Sequence, residues 1–148
     1  MTNYSLKAVS NFKEGYNCAQ SVFLAFAEEC GFDKETALKL SSSFGGGMGR
    51  LREVCGAVSS MFAIAGIKKG YISPTDDEAK AKHYELIQHL ANEFKKEHDT
   101  IICRELLGLP EGADEPTPSK RTEQYYEERP CELFIQTAAR IIEKELLQ

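Results

Sequence analysis

No apolar run in this 148-residue chain approaches the roughly twenty residues that a membrane-spanning helix requires. The opening stretch, MTNYSLKAVSNF, has neither the apolar segment nor the small-residue cleavage site of a secretory leader, so a cytoplasmic location is expected. Basic charge is also in deficit. Lys and Arg number 18 against 23 Asp and Glu, and the acidic excess is spread along the chain, which argues against nucleic acid and anionic lipid as partners. Strict alternation over strand lengths, internal repeats and low-complexity tracts are missing, so neither a sheet nor a repeat array is expected. No pair of cysteines has the C-x-x-C spacing of a thioredoxin-like or zinc-ribbon site, and no C-x-x-C-H haem attachment sequence occurs. His83, His89 and His98 are six and nine residues apart, which does not stack two imidazoles one helical turn apart as a helical metal pair requires. They are expected to face solvent or hydrogen-bond partners. Nothing suggests a Ser-His-Asp triad, and Glu28-Glu29 and Asp76-Asp77-Glu78 read as solvated helix faces and caps.

What remains is a strong period of 3.6, with Gly and Pro falling between the periodic segments, which predicts an all-α fold. The length fits one domain over residues 1–148 with a core that needs no disulfide staples. The expected architecture is a compact helical bundle of about five main helices plus short helical turns. A first helix is expected near Ser5 to Lys13, and a second opens with Asn17 as N-cap and Gln20 as its capping-box partner. Cys18, Val22, Phe26 and Cys30 then recur every four residues along one face. Asp33 starts a third helix to about Ser42, a fourth runs from about Glu53 to Lys68, and Thr75 with Glu78 caps a long helix to about His98. Its apolar stripe is Leu86, Ile87, Leu90 and Phe94. Thr100 caps a short turn carrying Cys103, and the proline-rich segment from Pro110 to Ser119 reads as an exposed connection. The last helix opens at Arg129-Pro130-Cys131, since proline suits the first helical position.

On these boundaries Cys18, Cys55, Cys103 and Cys131 all fall in the first turn of a helix, where backbone N–H groups and the macrodipole favour a thiolate. Cys30 is the contrast, at the end of a helical run before Gly31, and reads as structural. The run Phe44-Gly45-Gly46-Gly47-Met48-Gly49-Arg50 lacks the lysine and hydroxyl residue of a P-loop and follows a helix rather than a strand. It reads instead as a tight left-handed turn that delivers Cys55 to a site, with Arg50 or Arg52 placed to neutralise thiolate charge. Gly46, Gly47, Gly49, Arg50 and Gly56 are therefore the candidate cofactor-contacting residues. Tyr125 and Tyr126, just ahead of Cys131, form either a lid or an ordinary amphipathic segment.

Gly15-Tyr16-Asn17-Cys18-Ala19-Gln20, the Phe44–Arg50 run, Cys55-Gly56-Ala57, Cys103-Arg104-Glu105-Leu106-Leu107-Gly108 and Arg129-Pro130-Cys131 follow one another in an order that resembles the redox-active C_GCAxxG_C_C family over nearly the whole chain. One departure is Ser60, where the family carries glycine. The resemblance implies that Cys18, Cys55, Cys103 and Cys131 are the sulfur residues of a redox or electron-transfer site and leaves Cys30 outside it. Three chemistries suit such a quartet. Four thiolates can hold an iron–sulfur cluster or zinc, and zinc would also serve a purely structural module. Paired cysteines can instead cycle between dithiol and disulfide with a redox partner protein or small thiol. Cysteines can also be plain core residues. A homodimer is a further option, because the small residues Gly56, Ser60 and Ala63 offer a face to a second copy or to a helix of the same chain.

Overall fold

The computed structural model describes residues 2–147. Thr2 begins it by capping α1 (Asn3–Lys13), its Oγ1 accepting from the Ser5 N–H. At α2 (Cys18–Ala25) the capping box closes in both directions: Asn17 Oδ1 accepts from Gln20 N–H at 2.8 Å, and Gln20 Oε1 accepts from Asn17 N–H at 3.2 Å. The helix stops short of expectation. Phe26 leaves helical geometry (φ −110°, ψ 8°), and the N–H groups of Phe26 and Ala27 bond back three residues rather than four. Cys30 therefore lies in turns beyond α2 and not on its face, ahead of Gly31 at φ +79°.

After α3 (Lys34–Ser42) comes α4 (Gly45–Met48), a helix in its hydrogen bonding but not in its hand, because Gly46 and Gly47 have φ of +70° and +67°. Met48, Gly49 and Arg50 keep φ positive, so five successive residues run left-handed, and Arg52 follows at +61°. Glycine adopts this freely, but each L-residue with a Cβ is opposed by about 1–2 kcal/mol. Gly49 N–H to Gly45 O (2.9 Å) and Glu53 N–H to Gly47 O (2.9 Å) hold the reversal.

Next, α5 (Gly56–Lys69) starts three residues later than its pattern suggests, because the chain just before it pairs with another segment. Val54 bridges Ile102 antiparallel, Cys55 N–H donates to Ile101 O (2.8 Å), and Cys103 N–H donates to Glu53 O (2.6 Å). In α6 (Asp77–His98) the cap is Asp76, whose carboxylate accepts from Ala79 N–H, while the Thr75 hydroxyl turns to Ser73. Three elements complete the chain: α7 (Cys103–Leu107), α8 (Glu123–Glu128) and α9 (Cys131–Leu146). Thr100 supports α7 from outside, accepting from Ile102 N–H and donating to Glu105.

The result is all-α among the described residues, with six helices of eight residues or more and three short ones. Among the described residues, no helix is long and apolar enough to cross a membrane. The central helix is α5, which packs on α2, α6 and α9, while α1 covers the α2–α9 side. Phe12, Phe23, Phe26, Met61, Ile64, Phe94 and Ile142 fill the core, each contributing about 1.5–3 kcal/mol of burial. The small face of α5 meets α2 of the same chain: Ser60 Oγ donates to Ala19 O at 2.6 Å. That contact occupies the surface considered for a second copy, at least at Gly56 and Ser60.

Candidate functional site

Three packing devices bring cysteines from four elements to one cavity. Asn17 Nδ2 donates to Ser42 O and Gln20 Nε2 to Leu38 O, tying the start of α2, and with it Cys18, to α3 and the glycine run. The left-handed reversal then turns the chain into the short pairing of Val54 with Ile102, which sets Cys55 and Cys103 at the same end of the molecule. Pro130 caps α9, and Cys131 is its first residue. All four cysteines line a cavity of about 280 Å³, and Cys55 and Cys103 are only 4% and 7% exposed. Cys30 is elsewhere, half-buried against the core.

Glycine makes the close approaches possible. A Cβ on Gly56 would stand 2.6 Å from Cys18 Sγ and 2.8 Å from Phe44 O, and one on Gly47 would stand 2.6 Å from Cys103 Cβ. Gly56 and Gly47 thus sit behind the sulfurs as backing, whereas Gly46, Gly49 and Arg50 face the cavity itself. The five residues chosen from the sequence therefore divide into two on packing duty and three on the wall.

Electrostatics separate the sulfurs more sharply than their positions do. Cys18 is lowered to about 6, chiefly because the neighbouring Cys55 thiol acts as donor to its sulfur. Burial opposes this, and the backbone amides of Gly46, Gly56 and Ala19 add to it. Cys55 moves the opposite way, well above the ordinary thiol range, since its proton is engaged by Cys18 and burial disfavours a second charge. Burial also raises Cys103, against the pull of Arg52, and pushes Cys131 up to about 12 with help from charge on Cys18 and Cys103. The expectation that every helix start would favour a thiolate holds for Cys18 alone. Burial and a like charge already present outweigh the macrodipole at the other three.

The arginines need a second correction. Arg52, 4% exposed, reaches Cys103 and not Cys55, with Nη1 3.5 Å from the Cys103 sulfur. Its other nitrogens grip Asp114 at 2.9 and 3.1 Å, and Arg50 Nη2 lies 3.4 Å from the same carboxylate. Asp114 N–H donates to Arg50 O, and Arg50 Nε donates to Glu115 O. The segment expected to be an exposed connection is thus fastened across the glycine run, and Pro116, Pro118 and Ser119 close one side of the cavity. Sequence reasoning missed Asp114 and Arg121. The acidic pair Asp114-Glu115 in a proline-rich loop is the available signal, but only the fold supplies the distance to Arg50 and Arg52. Of the two tyrosines, Tyr125 lines the cavity, whereas Tyr126 points its hydroxyl to Lys13 O.

Do these donors fit a closed four-cysteine zinc site? Tetrahedral zinc with bonds of about 2.3 Å sets its sulfurs about 3.8 Å apart. Among the described residues, no three cysteine sulfurs lie within 4.8 Å of one another, and the trio that does meet that limit is His89 and Glu93 of α6 with Glu145 near the end of α9. As arranged, the quartet does not fit zinc.

Fold and site together define a helical protein with a shared cysteine cavity at its helix starts. The chain belongs to the family described as "Putative redox-active protein (C_GCAxxG_C_C)", which matches residues 16–145. No curated protein and no solved structure matches the chain.

Proposed function

We propose that the protein is a dithiol redox carrier or oxidoreductase whose working pair is Cys18 and Cys55. One observation carries this reading: Cys18 and Cys55 line the same cavity as neighbours, where the Cys55 proton and three backbone amides lower Cys18 to about 6 while burial and the Cys18 charge raise Cys55. A thiolate near ambient pH combines a high ionised fraction with adequate nucleophilicity, which suits it to attack, and the protonated neighbour is the natural resolving group. Oxidation joins the two sulfurs in a disulfide, releasing the Cys55 proton and two electrons. Cys103 and Cys131 remain thiols on the same cavity, the former under the Arg52 guanidinium. The redox counterpart is a small thiol–disulfide couple or a partner protein.

Elemental analysis with thiol counting on anaerobically prepared protein tests this reading. Metal-free, colourless protein that reversibly loses two thiols, with the loss mapped to Cys18 and Cys55, is the expected result. Stoichiometric iron or zinc released with the fold, or five thiols inert to mild oxidant, would overturn it.

A further inference from the structure

The cavity is far more cationic than the chain that forms it. The protein carries a net charge of −5, with six arginines and twelve lysines. Four of those arginines, Arg50, Arg52, Arg121 and Arg129, line the cavity, joined among the described residues by no lysine and no acidic residue. Arg50 and Arg52 share one carboxylate, that of Asp114, just outside the lining. Arg121 spends its Nη groups on the carbonyls of Phe12 and Tyr16, at 3.0 and 2.9 Å, and stacks 4.3 Å from the Phe12 ring centroid. Those contacts fix its direction, and among the described residues no carboxylate stands within 4.0 Å of it. Arg129 lies 5.6 Å from the Tyr125 centroid, and among the described residues no carboxylate stands within 4.0 Å of its guanidinium. Even with Cys18 ionised, four guanidiniums against Asp114 and one thiolate leave a local excess of positive charge.

We propose that this cavity binds a small carboxylate-bearing disulfide, its acid groups drawn to Arg129 and Arg121 and its S–S bond presented to Cys18. This identification of the oxidant rests on the dithiol reading above. A planar guanidinium such as that of Arg129 matches a carboxylate in two parallel hydrogen bonds, while Arg121, with its Nη groups engaged by carbonyls, adds its charge. The volume, about 280 Å³, lies at the small end of ligand cavities and suits a compound of a few residues' size rather than a loop of a folded partner. The step balances as follows. The Cys18 thiolate attacks one sulfur of the ligand, forming a mixed disulfide and expelling the other half as a thiolate. That thiolate takes the Cys55 proton, Cys55 attacks Cys18 Sγ, and the second half leaves as a thiolate. The protein pair is oxidised by two electrons and the ligand disulfide is reduced to one thiol and one thiolate; a dithiol reductant returns the pair.

Three symmetric disulfides of similar size separate charge from reactivity: those of mercaptopropionate (a dianion) and mercaptoethanol (neutral), and cystamine (a dication). Rates of modification at Cys18 are measured by mass spectrometry, each divided by the rate for a simple reference thiol, with Cys55→Ser used to trap the mixed disulfide. The dianion is expected to lead the neutral compound by roughly tenfold, although the whole protein is acidic, and the lead should shrink in high salt. Arg129→Gln is expected to cut the lead several-fold and Arg129→Lys to keep most of it. Equal rates for the three compounds, or a lead unchanged in Arg129→Gln, would overturn the anionic-ligand proposal while leaving the dithiol reading intact. Failure of Cys18 to react even with the neutral disulfide would overturn both.

Discussion

Two walls of one cavity carry the same residue type in the same helical position and behave differently. Cys18 opens α2 and Cys131 opens α9, so each stands at a helix start. Cys18 has a neighbouring thiol and three backbone amides turned to its sulfur and is lowered to about 6; Cys131 has burial and two nearby sulfur charges and is pushed up to about 12. Arg129 and Arg121 act on Cys131 in the favourable direction but do not prevail. The difference teaches that a helix terminus by itself does not make a reactive cysteine. Short-range donors decide which sulfur ionises first, and once one has done so its charge keeps the others protonated.

Removing Cys18 should collapse the contrast most completely. Cys18→Ser is expected to abolish reversible two-thiol oxidation, and it should also change how stability depends on pH. A thiol depressed to about 6 in the folded state and near its ordinary value when unfolded stabilises the protein fully above the unfolded value, and that contribution is lost as pH falls through 6. The raised thiols Cys55 and Cys131 act in the opposite sense, stabilising below the unfolded value and losing their contribution as pH rises further. Urea midpoints of the native protein should therefore climb from about pH 6 toward about 8.5 and decline beyond. In Cys18→Ser the climb above about pH 6.5 should vanish, leaving the rise below it that the lowered His98 contributes, and the decline should persist.

Cys55→Ala comes next. Its expected outcome is an upward move of the Cys18 midpoint, since the principal donor has been removed, together with a mixed disulfide that accumulates at Cys18 instead of resolving. Isotope-labelled alkylation read by mass spectrometry checks both. A smaller effect is expected for Gly56→Ala, whose new methyl group meets Cys18 Sγ, Phe44 O and Ala19 N within 3.0 Å. Overpacking of this kind costs about 1–3 kcal/mol, which denaturant unfolding would register, and the displaced Cys18 should alkylate more slowly. Least affected should be Cys30→Ser, at about 1 kcal/mol or less and with no change at Cys18, because Cys30 lies in the turns after α2, apart from the cavity.

Much of the fold is legible in the residues because the signals are local. The Asn17–Gln20 capping box, the glycine that ends α1 and the apolar spacing of α9 each act within one or two turns of chain. The candidate site is legible only as an ordered set of cysteines. Which sulfur pairs with which arginine depends on the antiparallel contact of Val54 with Ile102 and on Asp114 reaching back across 62 residues to Arg52. No short-range pattern encodes such a contact. The same limit explains why the segment from Pro110 to Ser119 reads as free connection: its composition is that of a loop, and it is one, but it is pinned at Asp114 and Glu115. Cys30 misreads for a different reason, since nothing in the apolar spacing announces that Phe26 leaves the helix.

The most direct test is the pH profile of alkylation at each cysteine, followed residue by residue over about pH 5 to 9. The account predicts that Cys18 alone gains reactivity with a midpoint near 6, well before any other thiol. A Cys18 profile that rises only near 8.5–9, as for an ordinary thiol, or reaction at Cys103 or Cys131 ahead of it, would contradict the account.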